Sequence, residues 1–138
     1  NALPVRKAKP AVPHYTVTAA VIRKEGLVLI AQRPQGGLLG GLWEFPGGKL
    51  EDTDPDLPAC LRREILEELG VEISVGEFLG VYRHAYTHFR ITLHAFACAL
   101  LPGESVPASE TLRWVIPEEL PGFAMGNVDR LIARKLQE

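Results

Sequence analysis

The run Arg63-Glu64-Ile65-Leu66-Glu67-Glu68-Leu69-Gly70-Val71 places three carboxylates within five residues of a helical stretch that ends on a glycine stop signal. At about 100° per residue, Glu64, Glu67 and Glu68 project from one face. Like charges at those spacings repel, and a divalent cation or a basic partner offsets the repulsion. A metal site built from Glu64, Glu67 and Glu68 is one reading. The other is an ordinary solvated helix face, since glutamate is a good helix former and exposed faces are often acidic. Upstream, Trp43-Glu44-Phe45-Pro46-Gly47-Gly48-Lys49-Leu50-Glu51 reads as a short strand running into a glycine turn before that helix. Strand, glycine loop and acidic helix together make a phosphate-and-metal architecture.

The elements that must hold these groups follow from periodicity. His14 to Arg23 reads as a strand, Glu25-Gly26 as a turn, and Leu27 to Arg33 as the returning hairpin partner. Gln35 to Gly41 is a loop whose four glycines either cradle phosphate or only permit a tight path. Asp56 is the expected N-cap of the acidic helix with Pro58 in its first turn; Leu61, Ile65 and Leu69 form a buried stripe beside the glutamate face. Val71 to Val75 and Phe78 to His84 are strand-like. Phe89 to Leu101 alternates, with Phe89, Ile91, Leu93, Ala95, Ala97 and Ala99 on one side and Arg90, Thr92 and His94 on the other. Leu112 to Val115 is a short strand and Val128 to Leu136 a closing helix.

His84-Ala85-Tyr86-Thr87-His88 places an aromatic, a hydroxyl and an imidazole at a hairpin tip. Such groups stack on a base and hydrogen-bond its edge, or they form an ordinary β-turn with a packed tyrosine. His84, His88 and His94 span a turn, and no cysteine or carboxylate completes a zinc set with them. Trp43 and Trp114 are assigned to packing. Nothing supports a serine or cysteine nucleophile.

Composition bounds the rest. A chain of 138 residues, 46% apolar and 23% charged, can bury one core and make one domain. Cys60 and Cys98 lack metal spacing and read as core filler in a reducing, cytoplasmic setting, with no signal peptide and no membrane span. Residues 1–13 are proline-rich and basic, and read as an interdomain linker carrying a tag remnant; 14–138 form the domain. Through Lys24 there are five basic residues and no acidic one, so the remainder carries about −7. That balance argues against a free-standing DNA binder, which needs clustered cations. A tethered reader at high effective concentration is compatible with it.

Gly47-Gly48-Lys49-Leu50-Glu51 followed by Arg63 to Val71 resembles a Nudix box: Gly, five residues, Glu, seven residues, then Arg-Glu-apolar-any-Glu-Glu-any-Gly-apolar. In strict register from Arg63 the glycine falls on Lys49 and the first glutamate on Pro55; one insertion restores Gly48 and offers Asp54. The resemblance implies an α+β fold, a Nudix-like α/β/α sandwich with a mixed β-sheet. It also implies Mg2+ held by the helical glutamates against a diphosphate, with Glu67 and Glu68 catalytic in a hydrolase. Magnesium requires near-octahedral oxygens at about 2.0–2.1 Å, so a shifted loop bearing the shorter Asp54 beside a proline points to a fold kept and hydrolysis lost.

Gln32-Arg33-Pro34, Gly37 to Gly48 and Tyr86-Thr87-His88-Phe89 are similar to the C-terminal domain of the adenine DNA glycosylase (MutY) family. That resemblance implies a lesion-recognition domain that reads 8-oxoguanine opposite adenine in base excision repair, through Tyr86, Thr87 and His88, with the acidic helix as scaffold. The DNA partner would be engaged through a missing N-terminal catalytic domain, which would also hold the iron–sulfur cluster. The fragment itself would have no catalytic residue, and a bacterial, nucleoid-associated location would follow. The alternative is a magnesium-dependent Nudix pyrophosphohydrolase of oxidised or ordinary nucleoside triphosphates.

Overall fold

The computed structural model describes residues 12–138; the expected linker falls almost wholly on residues 1–11, outside the described residues. Strand β1 (His14–Lys24) is followed by β2 (Leu27–Gln32), β3 (Trp43–Glu44), β4 (Gly47–Lys49), α1 (Leu57–Leu69), β5 (Ile73–Ala85), β6 (Arg90–Leu100) and β7 (Leu112–Val115). A 3-10 turn (Pro117–Gly122) and α2 (Asn127–Leu136) complete the chain.

β1 organises the sheet. It pairs in parallel with β6 from His14↔Arg90 to Ile22↔Cys98, and antiparallel with β4 through Val17↔Lys49, Thr18↔Gly48 and Ala19↔Gly47. Its far end turns at Glu25-Gly26 into β2, and the path runs β3-β2-β1-β6-β5, with β7 on β2. The result is the mixed sheet of a Nudix-like sandwich. Both faces are covered, so the middle of β1 is a continuous apolar run rather than an alternating one. Ala19, Val21, Ile30, Leu93 and Ala95 pack with Val128 and Ile132 of α2; Ala20, Ile22, Leu29, Phe96 and Cys98 pack with Leu61, Ile65 and Leu69 of α1.

Helix α1 starts and stops where local chemistry dictates. The Asp56 carboxylate accepts the Ala59 N–H at 2.8 Å, a cap that contributes about 1 kcal/mol. Gly70 at φ 69° ends the helix, its N–H bonding the Leu66 carbonyl at 2.9 Å.

Three expectations change. The stretches Val71 to Val75 and Phe78 to His84 are parts of one strand, β5, irregular between Val75 and Gly80. The polar-looking side of β6 is polar only at its start, because α1 covers Phe96 and Cys98 on that same side. The 3-10 turn, whose Leu120 is fully buried, had no periodic signal.

Gly47 is where β4 meets β1 most tightly: a Cβ there would lie 2.0 Å from the Thr18 carbonyl oxygen. Backbone on backbone cannot yield, so Gly47→Ala should lose about 3 kcal/mol of stability or more, read as a drop in the urea unfolding midpoint at unchanged slope.

Candidate active site

The acidic face of α1 meets the sheet at Gly48. A Cβ there would sit 2.2 to 2.7 Å from the carboxyl atoms of Glu64, so the absence of a side chain is what lets Glu64 approach the β4 backbone. Arg63 fixes the rotation of the helix. Its Nε and Nη2 donate to the two oxygens of Asp54 at 2.8 and 2.7 Å, its Nη2 to the Lys49 carbonyl at 3.1 Å, and its Nη1 to Glu64 at 3.0 Å and Glu67 at 3.4 Å.

Asp54 is thus not a weakened metal ligand. It accepts the Glu51 N–H at 2.9 Å while its own N–H bonds the Glu51 carbonyl at 3.0 Å, so residues 51–54 close into a tight turn that takes up the extra residue. Asp54 is 5% exposed, and the Arg63 guanidinium holds its carboxyl well below the usual carboxylate range. The shift in register changed which group Asp54 serves, and the Glu64–Glu68 arrangement stands without it.

A cleft of about 430 Å3 opens on the α2 side of the sheet beside Gly47 and Gly48. Tyr15, Leu38, Tyr86 and Phe89 give it apolar walls; Arg33, Glu44 and Asp129 supply its polar groups. Arg33 Nη1 donates to Glu44 at 2.8 Å, and its Nε to the Leu38 carbonyl at 2.8 Å, which ties the glycine loop to the cleft. The loop glycines Gly36 and Gly41 have φ 82° and 80°, a conformational need that side chains rarely meet. Asp129, in the first turn of α2, accepts the Phe45 N–H at 3.0 Å.

The electrostatics of the cleft are strained. Burial pushes the Glu44 carboxyl up, and Arg33 partly reverses the shift. Glu68 is pushed up to about 7, first by desolvation and then by the charges of Glu44 and Glu64, although its side chain keeps access to solvent. Asp129 is pushed up to about 7 by burial, with Glu44 adding to the shift. Three carboxylates share one guanidinium.

Of the expected site residues, Glu64 and Glu68 come to the β4 loop, whereas Glu67 points along α1 toward Arg63. Glu64 and Glu67 are both engaged by Arg63, and among the described residues no three acidic or imidazole groups close on a single point. Tyr86 lines the cleft, stacked on Phe89 at 4.6 Å between ring centroids and edge-on to His84 at 4.4 Å. Thr87 and His88 are exposed at the hairpin tip and do not line the cleft. Sequence reading missed Asp129 altogether. Its only signal was an acid in the first turn of a helix, which is common.

A family model described as NUDIX domain matches residues 17–135. The chain belongs to the Nudix family. It is 37% identical to the CTP pyrophosphohydrolase of Escherichia coli over 82% of this chain and 84% of that protein. It is 43% identical to the 8-oxo-dGTP diphosphatase of Proteus vulgaris over 58% of this chain and 71% of that protein. The solution structure of the E. coli ORF135 protein superposes with TM-score 0.75 at 32% identity, covering 95% of this chain and 94% of that one.

These matches correct two expectations. The mouse adenine DNA glycosylase is 30% identical over 96% of this chain, but that span is only 27% of its length. The match to a glycosylase is therefore partial and of lower identity, while the Nudix hydrolases match along most of their own length. The reading as a glycosylase lesion-recognition domain, partnered with 8-oxoguanine:adenine DNA through a missing N-terminal catalytic domain, is overturned. Among the described residues no helix is long and apolar enough to cross a membrane.

Asp129 gives a pH test of the cleft. In the unfolded chain it ionises near 3.8 and in the folded protein near 7, so the folded state holds the proton more tightly. Its contribution to stability is whole below the unfolded value and is lost as pH rises to about 7. Asparagine cannot ionise yet still accepts the Phe45 N–H. In thermal melts Asp129→Asn should therefore exceed the parent at about pH 8, with the difference shrinking toward pH 4; a difference flat in pH would contradict the burial assigned to this carboxyl.

Proposed function

We propose that the protein is a magnesium-dependent Nudix pyrophosphohydrolase that splits nucleoside triphosphates, ordinary or oxidised in the base. The observation that carries this reading is the contiguity of the two halves: the glutamate face of α1 reaches the β4 backbone at Gly48, and the aromatic-walled cleft is lined by that same glycine. A base in the cleft therefore leaves its phosphates on the acidic side.

Glu64, Glu67 and Glu68 are the residues that would hold Mg2+, which supplies charge neutralisation to the phosphates when bound. The donor set fits. All three are carboxylates, and Glu68, raised first by desolvation and then by the charges of Glu44 and Glu64, is the kind of group a divalent cation would relieve. Glu64 and Glu67 would have to leave Arg63, at 3.0 and 3.4 Å, and turn toward Glu68. Water adds across one P–O–P bridge, its oxygen going to phosphorus and the bridging oxygen leaving with pyrophosphate; the products are a nucleoside monophosphate and pyrophosphate.

In the cleft, Tyr86 and Phe89 offer a stacked pair for the base. Asp129 faces the same space with one oxygen held by Phe45, which suits contact with base N–H groups. The names of the relatives, a CTP pyrophosphohydrolase and an 8-oxo-dGTP diphosphatase, support triphosphates of both a pyrimidine and an oxidised purine as test substrates.

The chain assayed with CTP and with 8-oxo-dGTP should release pyrophosphate only when Mg2+ is present, and EDTA should stop it. Glu67→Gln should lower kcat by about a hundredfold or more, with the fold intact. Tyr86→Ala should raise KM about tenfold, from lost stacking, with a smaller effect on kcat. Folded protein that releases pyrophosphate from neither nucleotide would sink the reading.

A further inference from the structure

A second concavity, about 350 Å3, lies at the hairpin end of β1, β5 and β6, lined by His14, Arg83, His84, Ala85, Arg90, Ile91 and Thr92. The register explains its composition. Arg83 stands opposite Thr92, Ala85 opposite Arg90, and His14 opposite Arg90 across the parallel pair. Those positions share one face of the sheet, because side chains alternate along a strand. It is the face that α1 covers further along at Phe96 and Cys98. His84 and Ile91, paired on the other face, also line the concavity, and Ile91 lines the cleft too, so the two adjoin at this end of the sheet.

Arg83 and Arg90 are diagonal neighbours across the β5–β6 pair, a spacing within reach of long side chains. Two arginines are ion-paired, Arg33 to Glu44 at 2.8 Å and Arg63 to Asp54 at 2.7 Å. Arg83 and Arg90 make no ion pair among the described residues, and the sequence of residues 1–11 contains Arg6, Lys7 and Lys9 but no carboxylate. No acidic group in that segment is available to offset them.

The surroundings are those of a receptor for an anion. Ala85, opposite Arg90, is too short to fill the space between the guanidiniums. The buried Thr92 hydroxyl lies 2.7 Å from His14 Nε2, fixing the imidazole at the floor. Next along the same face, His94 is held below the usual imidazole value by burial and by the charge of Arg83, a sign of positive potential. Two arginines, an imidazole and a hydroxyl lining one concave site bring the donors that the oxygens of a phosphoryl group accept.

We propose that Arg83, Arg90, His14 and Thr92 form a phosphate-binding pocket at the hairpin end of the sheet. Its ligand is a phosphoryl oxyanion, whether free phosphate or the phosphate of a nucleotide. The pocket does not depend on hydrolysis in the cleft, so it stands or falls separately from the proposed activity.

The test is a titration of the isotope-labelled full chain with inorganic phosphate at constant ionic strength, chloride serving as the balancing ion, followed by amide and arginine side-chain NMR shifts. Saturable shifts at Arg83, Arg90 and Thr92 are expected, with a dissociation constant on the order of 1 mM. Arg90→Gln should weaken binding about tenfold while leaving nucleotide hydrolysis unchanged. Arg83→Lys, which keeps the charge but removes the fork, should weaken it too and guards against a folding defect in the first variant. A parallel titration with a nucleoside monophosphate separates the sources: equal affinity assigns the phosphoryl group itself, and tighter binding assigns a nucleotide. Shifts that rise linearly without saturation, or that both variants retain in full, overturn the pocket.

Discussion

The contact on which the site depends is the paired hydrogen bond between Arg63 and Asp54. One guanidinium, through its five N–H donors, joins the 51–54 turn, the Lys49 carbonyl at the end of β4 and two glutamates of α1. Exposed single ion pairs contribute little, but this one is two-pronged and its carboxylate is 5% exposed. Apolar packing of Leu61, Ile65 and Leu69 presses α1 onto the sheet; such contacts are non-directional and tolerate small rotations. Arg63 removes that freedom, and Gly48 provides the gap that the resulting position of Glu64 requires.

How much of this was legible follows from how far each signal travels along the chain. The limits of α1 were readable because cap, apolar stripe and glycine stop are all local. The second buried face of β6 was not, since Phe96 and Cys98 are covered by a helix that periodicity in the strand cannot see. Asp129 shows the same limit at the site: its hydrogen-bond partner Phe45 is 84 residues away, and only the fold makes that acid a cleft group. Glu44 stood in the sequence beside Phe45 as an ordinary strand residue until β3 and the Arg33 strand were paired.

The functional reading went astray for a physical reason. Arg33, Leu38, Phe45, Tyr86 and Phe89, from the stretches that carried the resemblance, line the cleft, and a domain that reads a base needs such walls as much as one that hydrolyses a nucleotide. Similarity in those residues therefore separates neither. The inserted residue is taken up as a change of turn. A spacing rule counts residues, whereas a carboxylate reaches through space, and the 51–54 turn returns Asp54 to Arg63 despite the inserted residue.

What separates scaffold from site is electrostatic cost. Glu44 and Asp129 line the cleft with Arg33, Glu68 stands on α1 within reach of the Glu44 charge, and desolvation raises all three, with like charge adding to the shift at Glu68 and Asp129. A helix and strand serving only to pack would be more stable with apolar or well-paired groups there, since partly buried carboxylates cost free energy unless each is satisfied. The structure limits the cost by giving Arg33 to Glu44, the Phe45 N–H to Asp129 and solvent access to Glu68. It does not remove it. That residual strain is concentrated where the acidic helix meets the aromatic cleft, as it is in functional sites more often than in scaffolds.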